Sequence, residues 1–108
     1  MSAPTRPVLR SGHEVTEQGR AWVPRISSFL GVSVHLHWRD HGPPHVHAVY
    51  AEYEASISIE GAAVLSGSLP PRVLGLVIEW IVLRRGELRY MWQRAENLQP
   101  LGTIEPLE

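Results

Sequence analysis

Five of the six histidines stand between His35 and His47, with Asp40 among them. Imidazole changes charge near neutral pH, so such a group can take a proton from a hydroxyl and return one to a leaving oxygen without metal. Neutral imidazoles that converge with a carboxylate also suit zinc and other first-row divalent ions. The chemistry-bearing residues come in two pairs, His35-x-His37 and His45-x-His47, and each pair shares one side of an extended strand. A divalent site would use His45 and His47 with Glu54 as the carboxylate. A third reading is a solvated sheet face that happens to contain histidine.

The elements that position these residues follow from the apolar pattern. Val32, Val34, Leu36 and Trp38 alternate with Ser33, His35, His37 and Arg39, which predicts a half-buried strand from Val32 to Arg39. Asp40-His41-Gly42-Pro43-Pro44 interrupts it, because two prolines cannot donate to a ladder. A second strand carries Val46, Ala48 and Tyr50 on one side and His45, His47 and Val49 on the other. A third runs from Glu52 to Glu60, with Tyr53, Ala55, Ile57 and Ile59 inward. Glu60-Gly61 predicts a turn into a short fourth strand, Ala62 to Ser66. The apolar rows must share a face, so the four strand histidines share the opposite one, with Cβ atoms ~4.5–8 Å apart. Glu54, Ser56 and Ser58 fall on that side too. The histidine face should turn away from the helix described next.

Pro70 and Pro71 suit a helix start. From there Leu74, Val77, Ile81, Leu88, Met91, Ala95 and Leu98 form a stripe at helical spacing. The stripe keeps phase across Gly86, which predicts one long helix over residues 70–98, with Gly86 the place for a bend and Arg84 awkwardly on the seam. The fold class is therefore α+β: an antiparallel four-stranded meander with one long C-terminal helix packed on one face. Residues 1–22 lack a sustained period and are read as a weakly ordered extension; residues 23–108 form the single domain. Thr103 to Pro106 is expected as a short edge strand.

Composition narrows the function classes. The chain has 108 residues, a net charge of -1 and no cysteine, which excludes disulfides, thiolate metal sites and thiol nucleophiles. All ten basic residues are arginine, a side chain suited to bidentate recognition of phosphate or carboxylate. No apolar run reaches the ~20 residues of a membrane span. The expected compartment is the cytoplasm. The exposed sheet edge leaves room for a homodimer.

From Pro24 to Leu107 the chain resembles a small bacterial family known as domain of unknown function 4160. The likeness rests on Pro24-Arg25-Ile26-Ser27, on the core Asp40-His41-Gly42-Pro43-Pro44-His45-Val46-His47-Ala48, on Glu52-Tyr53-Glu54-Ala55, on Leu69-Pro70-Pro71-Arg72 and on Ile104-Glu105-Pro106-Leu107. The resemblance implies the toxin half of a two-gene toxin–antitoxin module, whose partner is a small antitoxin of the family numbered 2442. It implies His41, His45 and His47 as functional residues and Asp40 as a supporting group, whereas His35 and His37 lie outside the family pattern. It also aligns Val23-Pro24 with the family's usual start, so residues 1–22 are either a private extension or a misplaced start, with Val23 read from a GTG codon.

Combined, these readings give an expected growth-arresting toxin that acts on RNA or translation. His45 or His47 serves as general base, His41 as general acid, and Arg25 or Arg39 steadies a phosphate. His35 and His37 stand beside the substrate. A divalent-metal hydrolase or regulatory protein is the alternative, and a non-catalytic binding module a further one.

Overall fold

Alternation of apolar and polar residues builds an antiparallel meander in which each strand pairs with the next. The computed structural model describes residues 23–107 and the backbone of His13–Glu14. The strands are β1 (His13–Glu14), β2 (Val23–Phe29), β3 (Val32–His35), β4 (His45–Tyr50), β5 (Tyr53–Ser58) and β6 (Val64–Ser68), in that spatial order. β1 is a two-residue pairing of His13 and Glu14 with Pro24 and Val23, so the sheet proper has five strands, β2 to β6. The reading of residues 1–22 as weakly ordered otherwise lies outside the described residues.

Two expectations need correction. The first is the strand count, because β2 lacks the period-2 signature. A register shift between Arg25 and Ser27 interrupts its pairing with β3. Ile26 and Ser27 are consequently both buried, and the Ser27 hydroxyl donates to the Ile104 carbonyl at 2.9 Å. The second is the helix. α1 (Pro71–Leu83) and α2 (Arg85–Glu96) are separate, and Arg84 between them has φ -108 and ψ 20. The break thus falls at the residue whose charge sat poorly on the apolar seam, not at Gly86.

The break lets the two helices do different work. α1 covers the sheet's apolar face, burying Val73, Val77, Trp80 and Ile81 against Ile26, Val34, Val46 and Ile57. α2 lies at the end of the sheet where β3 finishes and β4 begins. Arg85 Nε donates to the Ile59 carbonyl at 2.8 Å, and Arg89 grips both Glu60 oxygens at 2.7 Å. That grip holds the Glu60 carboxyl below its usual pKa. The C-terminal segment runs beside β2 through one backbone bond, Ile104 to Ile26, without becoming a strand. Among the described residues no helix is long and apolar enough to cross a membrane.

Gly86 sits inside α2 with open space where a Cβ would stand, and its backbone does not need glycine. Gly86→Ala should therefore stabilise the fold by about 0.5–1 kcal/mol, through helix propensity and a less flexible unfolded chain. A urea titration checks this; a loss of stability would mean that the Arg84 break depends on Gly86.

Candidate functional site

The site is made where β3 fails to continue. The predicted strand to Arg39 ends at His35, and the chain turns toward α2. The Arg39 amide donates to the Ala95 carbonyl at 3.3 Å, and Trp38 Nε1 donates to the Gln99 carbonyl at 3.4 Å. Arg39 adopts a left-handed φ of 52°, uncommon for a residue with a Cβ, and so reverses the chain just before Asp40. His37 and Asp40 are thereby carried back over the start of β4, where His45 and His47 project from the same side of the strand.

Asp40 is the centre. Its Oδ2 lies 2.9 Å from His47 Nε2, 3.0 Å from His45 Nε2 and 3.9 Å from His37 Nδ1. Its Oδ1 accepts the His41 backbone N–H at 2.8 Å. The outer ring nitrogens are also held: His45 Nδ1 donates to the Pro43 carbonyl at 2.7 Å, and His47 Nδ1 meets the Ser56 hydroxyl at 3.3 Å. The His37 and His47 rings stack at 3.8 Å, and Trp92 of α2 packs on the His45 ring at 5.3 Å. The cluster is half-open, with side-chain exposure of 28% at His37 and 20% at Asp40 against 9% at His45. Beside it a cleft of 310 Å³ is lined by His47, Glu54, Ser56, Ser66 and Gly67. Glycine is required at the last of these, since a Cβ there would overlap the Glu54 carbonyl oxygen.

The other sequence candidates are distributed unevenly. His35 shares the sheet face of His47 but is buried, and its Nε2 bonds with the Ser33 hydroxyl at 3.1 Å. His41 contributes its amide to Asp40 while the residue as a whole stays exposed. Arg39 is exposed at the turn. Arg25 lines another cavity with Ser28, Glu87 and Glu105. Glu54 borders the cleft, and its charge reaches His47, but it is not among the residues that gather on Asp40. The histidine face does not turn away from all helical structure, because α2 supplies Trp92 against His45. Spacing gave no sign of that contact or of the Pro43 carbonyl.

Protonation follows from these contacts. Burial pushes the Asp40 carboxyl up, but the His47 hydrogen bond, the His41 amide and the two neighbouring imidazoles together hold it below its usual value. Burial dominates at His47 and keeps its pKa below 6.5, against the opposing pull of Asp40. The metal-free unfolded chain therefore binds a proton at His47 more readily than the native state does. Stability from this ring is fully present above pH 6.5 and is lost as pH falls through the lower native value. Urea titrations of metal-free protein at pH 7.5 and 5.5 should show this loss, and His47→Gln should reduce the difference. Equal stability at both pH values would contradict the burial of a neutral ring.

A family model described as Domain of unknown function (DUF4160) matches residues 31–93. The chain belongs to this family. No curated protein and no solved structure matches it. The DUF4160 match begins at the turn before β3 and runs into α2, so it contains Asp40 with His37, His41, His45 and His47 around it, together with Trp92 and Ser56. β2 and the C-terminal segment, which close the other edge of the core, fall largely or wholly outside it.

Proposed function

We propose that the protein arrests growth by cleaving phosphodiester bonds in RNA at the Asp40-centred cluster, and that a small partner of the 2442 type neutralises it by direct binding. The observation that carries the chemistry is the gathering of three imidazole nitrogens around one carboxylate oxygen. The half-open setting and the adjoining polar cleft support it, because an extended substrate could lie along β5 and β6 with a reacting phosphate near His47. The toxin role and the partner come from the family resemblance.

The roles assigned from spacing shift within this reading. Both His47 ring nitrogens are hydrogen-bonded, and His45 Nε2 is turned onto Asp40 Oδ2 at 3.0 Å, so neither ring presents an open nitrogen to a substrate hydroxyl in this arrangement. They act as a unit with Asp40, and the exposed His41 residue is better placed to exchange protons with solvent.

Inducible expression, alone and with the neighbouring small open reading frame, tests the proposal. Wild type should stop growth, co-expression should restore it, and His47→Ala should remove the arrest while remaining folded. Normal growth under wild-type expression, or full arrest by a folded His47→Ala variant, would overturn it.

A further inference from the structure

We propose that His37, Asp40 and His47, with His45 beside them on the same carboxylate oxygen, bind one first-row divalent transition-metal ion. This deepens the proposed chemistry, and rests on it only for the claim that the ion takes part in phosphodiester cleavage. Its structural basis is independent.

His45 is decisive. The Pro43 carbonyl oxygen 2.7 Å from its Nδ1 can only accept, so Nδ1 carries a proton. A neutral imidazole has no second N–H. Its Nε2 lone pair then faces the Asp40 carboxylate at 3.0 Å, and two acceptors this close repel unless a cation binds them. A proton on Nε2 would serve this pair alone. One metal ion held by His37, Asp40 and His47 would also lie beside this lone pair.

The separations fit. Bonds of ~2.0–2.1 Å around a tetrahedral ion place the donor atoms about 3.3–3.4 Å apart. The three nitrogens lie 2.9, 3.0 and 3.9 Å from Asp40 Oδ2, which brackets that spacing. Donor atoms of His37, Asp40 and His47 all fall within 4.8 Å of one another.

The outer contacts fit as well. Metal-bound imidazoles commonly fix their orientation through a hydrogen bond from the other ring nitrogen. Here Pro43 does this for His45, Ser56 for His47, and the His41 amide steadies Asp40. The donors are nitrogen and one oxygen, without sulfur, a set suited to zinc, nickel, cobalt, manganese or ferrous iron and poorly suited to magnesium or calcium. His37 is the most exposed and the most distant donor. It is the ligand best able to yield a position to a phosphoryl oxygen, which the ion would polarise.

The test uses the full chain without a histidine tag, stripped by chelation and titrated with Zn²⁺, Ni²⁺ and Mg²⁺ while stoichiometry, affinity and Tm are followed. The expected result is one zinc or nickel ion per chain, a raised Tm and no saturable magnesium binding. Ser56→Ala keeps every ligand and should weaken zinc about 10–100-fold; Asp40→Asn should weaken it further. Absence of saturable zinc and nickel binding would overturn the site, as would binding that is unchanged in both variants or lost only in His41→Ala. Metal bound without growth arrest would remove the RNA-cleavage reading and leave the site standing. Arrest by protein that binds no metal would do the reverse.

Discussion

On the proposed reading of the site as an RNA-cleaving cluster, Asp40→Ala should lower RNA cleavage by ~10²–10⁴-fold, the range expected when a unit that holds the proton-transfer or ion-binding groups is dismantled. One oxygen, Asp40 Oδ2, lies 3.0 Å from His45 Nε2 and 2.9 Å from His47 Nε2. Its removal leaves those ring nitrogens without a common partner, and removes the charge that makes a cation favourable there. Asp40→Asn separates the two effects. The amide keeps the shape and an acceptor oxygen but not the charge, so its loss should approach that of alanine if charge decides. Asp40 lies in a partly exposed loop outside the core, so both variants should keep a native far-UV spectrum and a cooperative melt. Single-turnover cleavage of a labelled RNA measures the loss. Turnover within a few-fold of wild type in a folded Asp40→Ala variant would contradict the role given to this carboxylate.

Trp80→Ala should destabilise the fold by ~3–5 kcal/mol, the usual cost of emptying a large aromatic site. A domain of this size has a total stability of ~5–15 kcal/mol, so such a loss threatens folding itself. Trp80 is fully buried, packs 5.5 Å from Phe29 of β2, and donates its Nε1–H to the Glu105 carbonyl at 2.8 Å. One side chain therefore ties α1, β2 and the C-terminal segment together. Trp80→Phe keeps most of the apolar volume and gives up the hydrogen bond, so its cost should be clearly smaller. Urea denaturation of both variants measures the difference. A cost below 1 kcal/mol for alanine would mean that the sheet holds without this anchor.

What could be read from sequence was whatever depends on short-range periodicity. Val32 to Leu36, Val46 to Ala48 and Ala55 to Ile59 alternate cleanly, and the structure buries the apolar members and joins the strands as a meander. Parity also placed His45 and His47 together, with Ser56 on their side. β2 was illegible because its bulge near Ile26 replaces period 2, and its two neighbouring buried residues depend on a partner 77 positions away. The break at Arg84 was hidden because the apolar stripe kept its phase. Parity also put His35 among the cluster, although the fold buries it beside Ser33. The central place of Asp40 could not be read at all, since it depends on the left-handed turn at Arg39 and on the backbone bond that holds this residue to Ala95.

The most direct measurement is X-ray absorption at the metal edge on the full chain loaded with one equivalent of zinc. Nitrogen and oxygen scatterers at ~2.0–2.1 Å, with the outer-shell signature of at least two imidazoles that weakens in His47→Ala, would be the predicted spectrum. A first shell of oxygens alone, identical in wild type and variant, would place the ion elsewhere and contradict a cation shared by Asp40 and its histidines.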